Sequence, residues 1–231
     1  MAIALVQSNV ANESAGDGSV DATWDSATTA GNLLVAGVAA SRANTVPTIT
    51  PPSGWTEAVS ITSDPGAGLR RRTSIYYKAN ADSESGAKTW ACSTFMGVAT
   101  IGVWMAEYSG IATTTPLDKT ASAADTSALA TTCSSGTTAT QTAAGNLAVA
   151  ALQGGSTLTT GNDYVIEDQT GGAAFIALSD KVISDQAAAV TTATYITATV
   201  NAGCVATFLA AAAAGGGQPV RTMHQARMRA V

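Results

Sequence analysis

The chain has 231 residues, 46% of them apolar and 12% charged, with a formal net charge of −5. An ordinary soluble domain carries about 25% charged residues, so this one is charge-poor. It has enough apolar side chains for a core, which excludes a disordered chain. Its 22 glycines follow no triplet period, which excludes a collagen-like one. Its longest apolar run, at 208–214, is far short of the roughly 20 residues of a membrane-spanning helix.

The opening, Met1-Ala2-Ile3-Ala4-Leu5-Val6-Gln7, lacks the basic start and long apolar segment of a secretory signal. Synthesis in a cytoplasm is the expectation, with the protein kept there or leaving by lysis or a dedicated assembly. Short runs of Thr, Val, Ile and aromatic residues then alternate with Gly, Pro, Asn, Asp and Ser, the pattern of strands and turns. After the turn signal Gly31-Asn32 comes an apolar run, 33–38, that reads as a buried strand. Residues 72–78, 88–92 and 99–108 read as further strands. In the last of these Ile101, Val103 and Met105 share one face, while Thr100, Gly102, Trp104 and Ala106 share the other. Alanine is abundant, but a 3.6-residue period is confined to 185–189 and the C-terminal tail.

The chain contains a diverged repeat. Ala-Gly-Asn-Leu-Leu-Val at 30–35 matches Ala-Gly-Asn-Leu-Ala-Val at 144–149. Gly54-Trp55-Thr56-Glu57 corresponds to the segment 161–167. Thr89-Trp90 and the strand at 98–108 find counterparts in Thr194-Tyr195 and 203–211. The offset falls from about 114 to about 105 along the repeat, as loop deletions would produce. The joining segment, 110–142, contains Pro116-Leu117-Asp118 and a strand pattern, so it is not a flexible linker. Two architectures fit: two small tandem sandwiches, or one larger sandwich with a half from each copy. A unit of about 110 residues has a thin core alone. The expected fold is therefore all-β, a two-sheet β-sandwich of jelly-roll type over 1–214, built from copies at about 1–112 and 113–214. A flexible arm at 215–231 follows.

That arm begins with Gly215-Gly216-Gly217, a flexible joint. The last acidic residue is Asp185, so the arm is purely cationic on an acidic protein. Val220, Arg221, Met223, Arg227, Met228 and Arg229 are the candidate contacts for docking on a neighbouring subunit. Three arginines make a shallow electrostatic footprint, so nucleic acid is not the expected partner.

Catalytic and metal chemistry find little support. The only histidine, His224, lies in the arm, and no serine sits in a Gly-x-Ser-x-Gly turn, so no Ser-His-Asp triad is expected. Glu107 is the one carboxylate in a strongly apolar run. The expected role is a strand-edge carboxylate bonded to a turn, with general acid chemistry as the alternative. Cys92, Cys133 and Cys204 lack metal-ligand spacing and read as buried thiols. Asp163, Glu167 and Asp168 lack the spacing of a calcium loop. Arg70-Arg71-Arg72 reads as a solvated loop entering a strand. No cofactor or metal is expected. Of the four tryptophans, Trp90 and Trp104 read as core. Trp55, Tyr77 and Tyr164 are the candidates for an exposed sugar-stacking surface.

Several of these motifs, in their order, resemble a β-rich module of tailed-phage and prophage virion proteins and of some bacterial surface proteins. They are the Ala-Gly-Asn-Leu-Leu-Val motif, Pro-Ser-Gly-Trp-Thr at 52–56, Tyr-Tyr-Lys-Ala at 76–79, and Val-Trp-Met-Ala-Glu-Tyr-Ser-Gly at 103–110, followed by Pro-Leu-Asp. The resemblance spans about 20–210 and implies a non-enzymatic virion part: a head decoration or fibre protein, or a tail component. It implies capsid or tail subunits as partners, a homo-oligomer, and location in the virion. A glycan-binding adhesion module, with a host glycan as ligand, is the alternative.

Overall fold

The structure, a computed structural model, describes residues 2–13, 18–66, 68–79, 81–93, 99–126, 130–169 and 176–212. The arm at 215–231, with all six of its candidate contacts, lies outside the described residues. The described residues form strands and loops, with no helix. The first half contains β1 (Ala4–Glu13), β2 (Ser19–Thr23), β3 (Leu33–Ala43), β4 (Ile49–Thr50), β5 (Thr56–Ser63), β6 (Leu69–Lys78), β7 (Ala87–Cys92) and β8 (Ala99–Ser109). The second contains β9 (Leu117–Asp125), β10 (Thr132–Ser134), β11 (Asn146–Gln153), β12 (Thr159–Thr160), β13 (Val165–Gln169), β14 (Ile176–Ile183), β15 (Thr192–Thr194) and β16 (Asn201–Phe208).

The two halves have one topology. The first half forms a sheet ordered β1-β8-β3-β6-β5 and a small sheet ordered β2-β7-β4. Raising every index by eight gives the other two sheets, β9-β16-β11-β14-β13 and β10-β15-β12. A jelly roll is one long antiparallel hairpin wound on itself, so strand 1 pairs with 8, 2 with 7 and 3 with 6. All three pairings occur in each half. The fourth, 4 with 5, is replaced: β5 turns back onto β6, and β13 onto β14. That exchange makes one sheet five-stranded and leaves the other with three.

The sandwich of the expectation is present, with four sheets rather than two, because each copy closes its own jelly roll. The alternating faces of the central strands dictate this. On β3, Leu34, Ala36 and Val38 face the first small sheet, in a cluster with Trp24, Trp55 and Trp90. Leu33, Val35 and Ala39 face the other way, onto the second half. Both faces of β3 and β11 are buried, which explains their continuous apolar runs. The two large sheets stack through Trp104, Tyr108, Val149, Leu178, Cys204 and Phe208, among others. This shared layer adds a common core to the clusters that each copy holds inside its own roll.

The stack has pseudo-two-fold symmetry. β1 lies against β13, the counterpart of β5, while β5 lies against β9, the counterpart of β1. Register makes Tyr108 and Phe208 equivalent, since they pair with Leu33 and Leu147. Tyr77 and Asp180 are equivalent in the same way, opposite Val35 and Val149. The Tyr108 hydroxyl donates to Asp180 Oδ2 at 2.6 Å; at the related place Phe208 packs on Tyr77, ring centres 5.6 Å apart. Near the middle, a Cβ on Gly37 would sit 2.2 Å from Leu178 Cδ1, so the glycine is what lets the sheets approach there. Arg71 crosses the seam to Gly154 O at 2.5 Å and Thr199 Oγ1 at 3.2 Å.

Three expectations are corrected. Residues 70–72 are not a solvated loop but the start of β6, with Arg71 buried between the halves. Residues 185–189 form no helix; the Asp185 carboxylate accepts from the Ala187 N–H at 3.0 Å and holds a turn instead. The counterpart of Trp90 is Ala193 rather than Tyr195, since these two residues pair with Val20 and Cys133 at matching positions.

Candidate functional site

Glu107 is fully buried on the small-sheet face of β8. Its Oε2 accepts from Gln7 Nε2 at 2.7 Å; its Oε1 accepts from the Thr29 N–H at 2.7 Å and Asn32 Nδ2 at 2.6 Å. Burial alone pushes this carboxyl up, but the three donors outweigh it and hold it below its ordinary range. An acid held ionised by three protein donors has no proton to give at neutral pH. It clamps the loop that enters β3, which is the bonded-turn role expected from the sequence. The second half does the same job with other residues: Thr207 replaces Glu107 by register, and Asp118 on β9 accepts from the Thr142 N–H at 2.8 Å and Asn146 Nδ2 at 3.1 Å. Glu107→Gln keeps the shape and loses the charge. We expect it to cost about 1–2 kcal/mol of stability in urea unfolding at neutral pH. Because the folded carboxyl titrates low, its contribution is present above pH ~4.3 and fades as pH falls through the depressed value, so wild type and variant converge in acid.

A second acidic group sits at the seam between the halves. Asp180 takes the Tyr108 proton donor and shares a hydrogen bond with Glu167, which lies in the bulge of β13. Burial raises Asp180 despite those bonds; burial and then the charge of Asp180 raise Glu167. Raised carboxyls stabilise the fold while protonated, and that advantage is lost as pH rises through and above the ordinary range near 4. Asp180→Asn retains an acceptor for Tyr108. Its stability relative to wild type is expected to increase between pH 4 and pH 7; a difference that is flat over that interval would remove the assignment.

The proposed stacking rings are not exposed. Trp55 is 8% exposed and packs edge-on against Trp90, ring centres 5.2 Å apart, with Tyr76 on the other side of that ring at 5.4 Å. Tyr77 is half-buried against Phe208. Tyr164 is 7% exposed. Trp55 and Tyr164 are equivalent positions in the two halves, so no open surface brings the three together. Trp24, Trp90 and Trp104 are core. The three cysteines are free and buried, and burial pushes the Cys133 thiol up to about 12. Among the described residues no three His, Cys, Asp or Glu side chains gather in the manner of a metal site.

One concavity was not visible in the sequence. It is a groove of about 240 Å³ in the second half, lined by Asn162, Tyr164, Lys181, Ile183, Ser184, Asp185 and 187–190. Lys181 Nζ donates to Asn162 O at 3.0 Å and lies 3.5 Å from Asp163 Oδ2. Asn162 and Asp163 adopt left-handed backbone at φ 62° and 59°, the turn that brings Tyr164 under the groove. A smaller cavity of about 160 Å³ lies between β9, β10 and β16, beside Cys133 and Asn201. No protein family, curated protein or solved structure matches this chain in sequence or fold comparison.

Proposed function

We propose that the protein is a non-enzymatic structural component of a virion surface, a head decoration or fibre protein or a tail component, that binds neighbouring virion subunits. The observation that carries this reading is the use of the buried polar side chains. Glu107, Asp118 and Arg71 are consumed in holding the loops and the seam of the double jelly roll. Jelly rolls recur in viral capsid and lectin domains, an argument from fold analogy. The phage-like motifs support it from the sequence side. The basic arm, with Val220, Met223 and Met228 as apolar anchors and its arginines directed at acidic surface, is assigned to the subunit contact.

The test is sedimentation with phage particles lacking the protein, using the full chain and a version ending at Gly215. Stoichiometric binding by the full chain, lost on truncation, supports both parts of the reading. Binding by both versions keeps the virion role and moves the contact to the body. Absence of binding by either overturns the proposal.

A further inference from the structure

We infer that the groove beside Tyr164 is a binding site for a single neutral sugar ring, present in the second half alone. The first half shows what closes it there. Lys78 and Lys181 occupy equivalent positions, opposite Leu34 and Ala148. In the first half Glu84 fills the space and pairs with both Lys78 and Lys88. In the second half Gln186, whose carbonyl accepts from the Gln141 N–H as that of Glu84 does from the Thr28 N–H, turns its side chain away to Thr142 O at 3.0 Å, and the segment above Lys181 at 187–189 is alanine. The first half also has Trp90 against Trp55; its register equivalent in the second half is Ala193, which packs with Cys133, Leu158 and Tyr195 rather than over Tyr164. With neither an indole nor a carboxylate paired as Glu84 is across it, the second half has an open, polar-edged groove over an aromatic base.

The lining suits a polyol. Lys181 uses one proton on Asn162 O and directs a weak contact to Asp163, so its ammonium retains donor capacity. Asp185 spends Oδ1 on the Ala187 N–H and keeps acceptor capacity on the other oxygen. Asn162 and Ser184 add groups of both kinds at the rim. Donors and acceptors alternate around an apolar floor of Tyr164, Ile183 and Ala189, which matches hydroxyls around a ring with an apolar face. Two acids near one lysine disfavour an anionic ligand. The Tyr164 hydroxyl is buried and has no partner among the described residues, a polar group whose cost a ligand or water reaching it would relieve. The volume admits one ring rather than a longer chain buried end to end.

The inference deepens the virion-surface reading by naming what the surface meets, and its test is separate from particle binding. Saturation-transfer NMR with the full chain against neutral hexoses, N-acetylhexosamines and hexuronic acids is the experiment. The expected result is transfer from at least one neutral sugar, with Kd on the order of millimolar, as about a dozen ligand atoms allow. Ala187→Glu sets a longer, charged side chain into the lining that Lys181 shares and is expected to abolish transfer. Ala188→Phe is a second block that fills the groove without charge, used where circular dichroism shows Ala187→Glu misfolded. Absence of transfer from every neutral sugar, stronger transfer from uronic acids, or transfer that survives a folded blocking variant each overturns the assignment. None of these outcomes touches sedimentation with particles.

Discussion

Trp104→Ala is expected to lower stability by about 3–5 kcal/mol in urea unfolding. The ring is wholly buried in the layer shared by the two large sheets, beside Gly37 on the same face of the first sheet and opposite the second. Its equivalent is Cys204, paired with Ala151. The seam therefore fits one large side chain against a small one, and nothing in the second half can fill the space if the indole is removed. Trp104 Nε1 has no partner among the described residues, so its deletion strands no acceptor and places the cost at the lower part of that range. The halves share this layer, so they should lose stability together. A loss below 1 kcal/mol, or a transition that splits while one half keeps its wild-type midpoint, would show that the seam is not the common core.

Gly203→Val is the harsher change for its size. Position 203 corresponds to Val103, on the small-sheet face of the first half. In the second half a Cβ there would lie 2.3 Å from the Ser134 carbonyl oxygen and 2.8 Å from Leu152 Cδ2. The first of these is backbone, so a rotamer change cannot clear it. β10 would have to lift from β16, and more than about 3 kcal/mol is expected from this overpacking. The reciprocal change, Val103→Gly, removes a side chain without a clash and should cost less. Hydrogen exchange would locate the first damage in β10 and β15. If Gly203→Val were tolerated within 1 kcal/mol, the close approach of the small sheet would be wrong.

The sequence made the central strands legible and the margins opaque. The two Ala-Gly-Asn-Leu motifs mark equivalent points, the turns into β3 and β11, because these strands are buried on both faces and have little freedom to diverge. Strands 6, 7 and 8 were readable from their aromatic and β-branched runs. β4 and β12 have two residues each, too short for any period to register. β1 carries a bulge between Leu5 and Gln7, which breaks its alternation. The choice between one sandwich and two turned on which face of β3 meets which partner, and a run buried on both faces does not encode it. Glu107 was readable because a lone carboxylate in an apolar strand needs donors nearby. The groove was not, since its wall at 187–189 is alanine, and alanine in an alanine-rich chain carries no signal. Trp55 was named as a candidate stacking ring; its cover comes from Trp90, thirty-five positions away in the chain.

The near-two-fold stack has the form of a homodimer interface, in which each surface meets its own likeness. Between separate chains such a contact dissolves on dilution. Here residues 110–116 join the partners, and this stretch is itself tied down, with Ala112 N–H on Leu209 O at 2.9 Å and Leu209 N–H on Pro116 O at 2.7 Å. A short tether gives the second copy an effective concentration in the millimolar range, whatever the amount of protein present. Assembly of the two rolls thus becomes a matter of folding, independent of expression level. Covalent union also removes the demand that both surfaces be identical. A dimer of one gene product must duplicate every mutation; this chain could fill one roll with Trp55, Trp90 and Glu84 and open the other at Tyr164, holding a closed and an open version of one fold in a single molecule.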